Sequence, residues 1–101
     1  MKSIKSSISS VIYKIGGKKY HDLIVIALSW KDVVGPIMAE HSFVVKYMNF
    51  TLYIGVTQSV WLQEFVLSKQ NLLRRLNRAV KPKLTGEIKN IIFVLREKRN
   101  D

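Results

Sequence analysis

The sequence predicts an α+β domain in which a three-stranded sheet carries helices on one face. Residues 59–81 repeat apolar side chains at helical spacing, residues 42–57 alternate like paired strands, and residues 88–96 form a further apolar strand. With 101 residues the chain has the length of one domain with one modest core, which we assign to residues 1–101. The predicted order is helix, helix, strand, strand, helix, strand.

The first two predicted elements are helices. A basic N-terminal helix occupies residues 1–17, with its clearest helical periodicity over residues 3–14 and a stop at Gly16-Gly17. Residues 18–34 form the second helix, and its predicted apolar stripe consists of Tyr20, Leu23, Ile24, Ala27, Trp30 and Val34. Gly35-Pro36 interrupts it, because proline lacks an N–H and disfavours helix at the preceding residue. Residues 37–41 then add one further turn.

The next two elements are strands of an antiparallel hairpin. In the first run, Phe43, Val45 and Tyr47 alternate with Val44 and Lys46. In the second run, the alternating residues are Phe50, Leu52, Ile54 and Val56 on one side and Thr51, Tyr53, Gly55 and Thr57 on the other. The link near Met48-Asn49 is short, as in a hairpin. The period of two directs Leu52, Ile54 and Val56 toward the long helix.

The long helix and the last strand complete the predicted layers. The helix of residues 59–81 has Ser59 as its N-cap, and its apolar stripe consists of Trp61, Phe65, Leu72, Leu76 and Ala79, flanked by Leu62, Leu73 and Val80. Residues 82–87 form a loop, since Pro82 and Gly86 favour turns. The third strand faces inward through Ile91, Phe93 and Leu95, and residues 97–101 form a frayed tail.

The positive charge is concentrated at the two ends of the chain. The net charge is +10, with +5 in residues 1–19, −2 in residues 20–65 and +7 in residues 66–101. This asymmetry favours a polyanionic partner, nucleic acid before anionic membrane, over a merely solubilising surface.

The sequence has few residues in patterns typical of catalysis or metal binding. The chain has no cysteine, and its histidines, His21 and His41, lack ligand partners at helical spacing, so we expect no metal and no cofactor. No nucleophile with its base and no phosphate-binding glycine loop is recognisable. The longest apolar run is far shorter than a membrane span. The sequence therefore predicts a binding protein, not an enzyme, with neither a small-molecule substrate nor a membrane as partner.

The basic residues define a candidate surface for sequence-nonspecific DNA binding. Positively charged side chains near the C-terminal end of the long helix interact favourably with the helix dipole, but this effect explains only the basic residues of its last turn. Lysines in the N-terminal segment and before that turn need another reason, and phosphate contact is one. The predicted DNA-binding residues are Lys14, Lys18, Lys19, Lys69, Arg74, Arg75, Arg78, Lys81 and Lys83.

Trp61 allows two interpretations. Its position on the apolar stripe predicts a side chain that anchors the core. Its position in the first turn of the helix instead predicts a ring that the rest of the protein covers only in part. A partly exposed tryptophan beside Gln63 and Glu64 is typical of a protein-interaction hot spot. Trp61, Gln63 and Glu64 are therefore the predicted partner-binding residues.

Two stretches together resemble one protein family. They are residues 30–42, WKDVVGPIMAEHS, and residues 52–65, LYIGVTQSVWLQEF. Their tryptophan, Val-Gly step, Ala-x-His, short strand and Ser-x-Trp-x-Gln-Glu resemble the DciA-like family of bacterial helicase-loading proteins. The positions that carry the pattern are Trp30, Gly35, Ala39, His41, Ser59, Trp61, Gln63 and Glu64.

The resemblance implies a KH-like domain that binds the replicative helicase DnaB and DNA, and assists helicase loading at replication origins. It implies no ATPase activity, and a cytoplasmic protein associated with the nucleoid and the replication fork. Many members carry long basic extensions, whereas this chain stops soon after its last strand. We therefore expect any DNA or helicase contact that such a tail makes in other members either to be made here by the folded domain or to be missing.

Two other functions remain open. A KH-like RNA-binding module has the same number of helices and strands, although the GxxG loop by which KH modules clamp a nucleic-acid backbone is missing. A structural interaction protein with incidental charge is the other alternative.

Overall fold

The computed structural model describes residues 20–81, 83–84 and 86–97. In these residues three helices and a three-stranded mixed sheet follow the order α-α-β-β-α-β, as predicted. The elements are α1 (His21–Val34), α2 (Pro36–Glu40), β1 (Ser42–Met48), β2 (Thr51–Val56), α3 (Ser59–Val80) and β3 (Asn90–Leu95). The predicted N-terminal helix and nearly all of the predicted tail lie outside the described residues.

Helices α1 and α2 are separated by a single residue. Gly35 has φ +90°, a conformation that glycine adopts without steric cost, and Pro36 occupies the first position of α2. The buried face of α1 consists of Ile26, Trp30 and Val33. The predicted stripe was therefore largely wrong. Of its members only Trp30 is buried and Ala27 is exposed, because α1 is apolar on several sides and packing against α3 selects one of them.

The hairpin is antiparallel and closes through two residues. Asn49 and Phe50 both have positive φ, 52° and 59°, as in the turns that match the twist of paired strands. The prediction that Phe50 belongs to the second strand was wrong, since it lies in the turn with 46% of its surface exposed. A register shift between Val44 and Lys46 places a bulge in β1.

Strand β2 is central, with β1 antiparallel on one side and β3 parallel on the other. In β3, Ile91 is buried and Phe93 packs against the core, as predicted. Leu95 was wrongly predicted to face the core and is 56% exposed, because β3 ends beyond the edge of the helical layer. Just before the strand, Ile88 is fully buried.

The core lies between the sheet and the two longer helices. Leu52, Ile54 and Val56 point into it from β2, and Phe65, Leu72, Leu76 and Val80 enter it from α3. Ala79 was predicted on the buried stripe but is exposed, because the last turn of α3 leaves Val80 as its inward residue. The predicted Ser59 N-cap was also wrong. The cap is Gln58, and no side chain bonds the free N–H groups there.

Candidate nucleic-acid and partner interface

The first sequence motif forms a buried joint between α1, α2 and β1. The indole Nε1 of Trp30 donates to Oγ of Ser42 over 2.9 Å, and that hydroxyl donates to the carbonyl of Met38 over 2.8 Å. The backbone N–H of Ala39 donates to the carbonyl of Gly35 over 3.0 Å. Trp30, Gly35 and Ala39 therefore build the fold, because each fixes how the short helix α2 sits against its neighbours.

The second motif meets the first through a ring stack. The rings of His41 and Trp61 lie with centroids 4.5 Å apart and planes 11° apart. The carbonyl of His41 accepts hydrogen bonds from the backbone N–H and the hydroxyl of Thr57, over 2.9 and 3.2 Å. Trp61 is half-buried, and its ring joins the first turn of α3 to the start of β1. Gln63 and Glu64 are exposed next to it.

An apolar ridge follows on the first half of α3. Val60, Val66 and Leu67 are 63%, 54% and 82% exposed, and together with Ser59, Leu62 and Gln63 they line a shallow groove of about 740 Å³. Adjacent exposed aliphatic side chains are typical of an interaction surface. The sequence analysis missed this ridge. Its signal was present as apolar residues left outside the buried stripe of an otherwise amphipathic helix.

A basic face occupies the second half of α3 and the start of the following loop. We define it as Arg74, Arg75, Arg78, Lys81 and Lys83, all of which are exposed. Within the part of the chain that the structure describes, none of these cations forms an ion pair with a carboxylate. Their positive charge is therefore turned to solvent and available to an anion.

Of the other predicted DNA-binding residues, Lys69 does not join this face. Lys69 is half-buried, and at about 100° per residue it projects from α3 about 140° away from Arg74. Lys14, Lys18 and Lys19 lie outside the described residues.

The apolar ridge and the basic face share one solvent-facing side of α3. At about 100° per residue, Val60, Leu67, Arg74, Arg78 and Lys81 project within about 60° of one another, and Val66 and Arg75 lie about 60° beyond them on opposite sides. Leu67 and Arg74 are seven positions apart, which corresponds to about 10 Å along the axis. One side of a single helix therefore presents an aliphatic surface first and a cationic surface next, close enough for two ligands to be held side by side.

Asn77 is a positioning residue that the sequence analysis also missed. Its side-chain Nδ2 donates to the carbonyl of Ile88 over 2.9 Å, and the N–H of Ile88 donates to its Oδ1 over 2.8 Å. Because Ile88 is fully buried, both of its backbone groups depend on this amide. Asn77 thereby ties Ile88, just before β3, to the helix.

The solvent-facing side of α3 consists of exposed aliphatic and cationic side chains. Among the residues described, no three histidines or acidic residues converge on a possible metal site. In β1, burial and then the negative charge of Asp22 raise the pKa of Tyr47 above its usual 10.0. Over the same residues, no helix has the length and apolar character needed to cross a bilayer.

Comparison with known proteins identifies one family. The family model described as "Dna[CI] antecedent, DciA" matches residues 3–93, which is nearly the whole chain. The comparison with curated proteins gave no match. The family match includes both sequence motifs, the apolar ridge and the basic face.

Proposed function

Because the chain belongs to the DciA family, whose role is linked to loading of the DnaB helicase in replication, we propose that it is a non-enzymatic adaptor that binds both DnaB and DNA. It would act in the cytoplasm at the nucleoid and the replication fork during initiation. The observation that supports this proposal is the two-part exposed side of α3, aliphatic over its first half and cationic over its second.

DNA binding is assigned to the basic face. Arginine and lysine side chains neutralise phosphates and release counterions, which gives affinity without base specificity. The exposed guanidinium groups of Arg74, Arg75 and Arg78 have no carboxylate to be separated from in the described residues, so binding costs no internal ion pair. Lys14, Lys18 and Lys19 are proposed to extend the same contact. Lys69 is the weakest member of the set, since it projects elsewhere.

DnaB binding is assigned to the apolar ridge together with Gln63 and Glu64. Burial of exposed aliphatic surface is worth roughly 25 cal/mol per Å² before the costs of association are subtracted, which makes Leu67 the side chain with the most to gain. Trp61 contributes to this surface by holding the first turn of α3 against His41. Its role in partner binding is thus in part a positioning role.

Two variants separate the two surfaces in one experiment. Purified DnaB is captured on beads, and retention of the wild-type chain is compared with Leu67→Asp and with Arg74→Ala/Arg78→Ala. We expect Leu67→Asp to lose DnaB while retaining wild-type affinity for DNA, because a carboxylate cannot be buried unpaired at an apolar interface. Arg74→Ala/Arg78→Ala should lose affinity for DNA while DnaB retains it as well as the wild-type chain.

The controls follow from the positions of the same side chains. Gln70→Ala lies on α3 between the two surfaces and should change neither binding. Trp61→Ala is unsuitable as the main probe, because it also removes the stack on His41. If DnaB retained Leu67→Asp as fully as the wild-type chain, the apolar ridge would not be the DnaB-binding surface. Tighter binding of structured RNA than of DNA at matched salt would favour the RNA-binding alternative.

A further inference from the structure

A pocket lies at the C-terminal end of α3, beside the basic face. It has a volume of about 490 Å³ and is lined by Asn77, Arg78, Val80, Lys81, Leu84, Gly86 and Glu87. We call it the corner pocket. Building on the proposed DNA binding, we propose that the corner pocket receives one unpaired nucleotide of a nucleic-acid strand whose neighbouring phosphates lie on the basic face.

The walls of the corner pocket are held before any ligand arrives. The two hydrogen bonds between Asn77 and Ile88 fix the far side of the loop. On the near side, the carbonyl of Val80 accepts the N–H groups of Lys83 and Leu84, over 2.8 and 3.2 Å. These hydrogen bonds hold Lys83, Leu84 and Ile88 against α3, which lowers the ordering cost of binding a ligand there.

The hairpin turn supports the third side of the pocket. A Cβ added at Gly86 would lie 2.8 Å from Cε1 of Phe50, so only glycine lets the Phe50 ring approach this closely. The carbonyl of Phe50 also accepts the N–H of Lys89 over 2.8 Å. These contacts give a reason for a large aromatic residue in a turn with positive φ. Its ring holds the lip of the corner pocket in place.

The lining matches the three parts of a nucleotide. Arg78 and Lys81 belong to both the pocket and the basic face, so they can hold the phosphate at the mouth. Leu84 supplies an apolar wall for the flat base. Glu87 accepts hydrogen bonds when ionised, and the Asn77 amide keeps one N–H and one lone pair beyond its bonds to Ile88.

Glu87, the acidic residue that lines the corner pocket, restricts which base the pocket can prefer. A carboxylate repels a phosphate but accepts a hydrogen bond from the exocyclic amino group of cytosine. Glu87 is therefore assigned to the base and not to the phosphate, and cytosine should be preferred over thymine. In a duplex this amino group is paired and the base is stacked, so only an unpaired base can enter.

The direct test is a titration of the ¹⁵N-labelled full chain followed by NMR. The probe is deoxycytidine 5′-monophosphate, and inorganic phosphate at the same ionic strength is the control. We expect the amide signals of Leu84, Gly86 and Glu87 to shift with the nucleotide and not with phosphate. Equal shifts with phosphate would make the pocket a simple anion site and overturn the proposal, as would no shift with either.

Variants test the same site on polynucleotides. Affinities for an oligo-dC strand and for a duplex of equal length are compared by fluorescence anisotropy. Leu84→Ala should weaken single-strand binding about tenfold and leave duplex binding within about twofold, because only the single strand loses a base contact. Glu87→Gln, which keeps the shape and requires no refolding of the wall, should abolish the preference for oligo-dC over oligo-dT.

Arg74→Ala is the matched control, because Arg74 lies on the basic face but outside the corner pocket. It should weaken single-strand and duplex binding to the same extent. Equal losses on both ligands for Leu84→Ala, or an unchanged base preference for Glu87→Gln, would refute the nucleotide site while leaving the basic face intact. If Arg74→Ala and Arg75→Ala together change neither ligand, the proposed DNA binding itself fails.

Discussion

Salt dependence gives the sharpest measure of the basic face. Arg74 and Arg78 lie one turn apart on α3, about 6 Å along its axis, and both are exposed. Because neither pairs with a carboxylate in the described residues, Arg74→Ala/Arg78→Ala removes charge without breaking an internal ion pair. The free energy of unfolding should therefore change by less than about 0.5 kcal/mol per site.

The expected change in DNA affinity follows from the number of phosphates contacted. If four side chains of the basic face each neutralise one phosphate of duplex DNA, log affinity falls with log salt concentration at a slope of about −3.6. Between 50 and 200 mM salt this amounts to a loss of about 150-fold. Removal of two contacts should reduce the slope to about −1.8, and the loss over the same range to about 12-fold.

The assay is fluorescence anisotropy with a labelled duplex at four or five salt concentrations between these limits. Gln70→Ala/Asn71→Ala is the matched control, since it truncates two exposed residues of the same helix without changing its charge. A double arginine variant that is weaker but keeps the wild-type slope would refute the reasoning. It would mean that these guanidinium groups do not contact phosphates.

Two further predictions concern packing, one at the end of α3 and one in β1. Asn77→Ala should lower the free energy of unfolding by about 1–3 kcal/mol in chemical denaturation, because it leaves the buried N–H and carbonyl of Ile88 without partners, whereas Asn71→Ala should change it by less than about 0.5 kcal/mol. Tyr47 has a pKa raised in the folded state by burial and by Asp22, so its contribution to stability is complete below pH 10.0 and is lost as pH rises through the folded value. As pH rises above 10.0, the free energy of unfolding should therefore fall less for Tyr47→Phe than for the wild-type chain. The same pH dependence of unfolding for both proteins would contradict this prediction.

Prediction from the sequence was most reliable where one periodicity was strong. The helix of residues 59–81 was located to within one residue, and the alternation around Leu52, Ile54 and Val56 identified the buried side of β2. It was least reliable where both sides of a segment are apolar. Leu95 and Ala27 show this, because a pattern without polar residues cannot indicate which side chain the core leaves uncovered.

The candidate surfaces were only partly visible in the sequence. Charge counting found the basic residues, since charge is a property of composition, but it could not separate the half-buried Lys69 from the exposed Arg74. Trp61 stood out by its size, yet its ring is engaged with His41. The more exposed Leu67 drew no notice, because an aliphatic residue in a helix is ordinarily assigned to the core.

The sequence by itself determined the α+β class, the order of its elements, the uneven positive charge and membership of the DciA family. These follow from local patterns and residue identities, which need no knowledge of long-range contacts. Only the tertiary structure decided that the apolar ridge and the basic face share one side of α3, and that Asn77 and the end of α3 line a pocket together with Leu84, Gly86 and Glu87. Burial and enclosure depend on segments far apart in the chain, so they appear only when those segments are packed together.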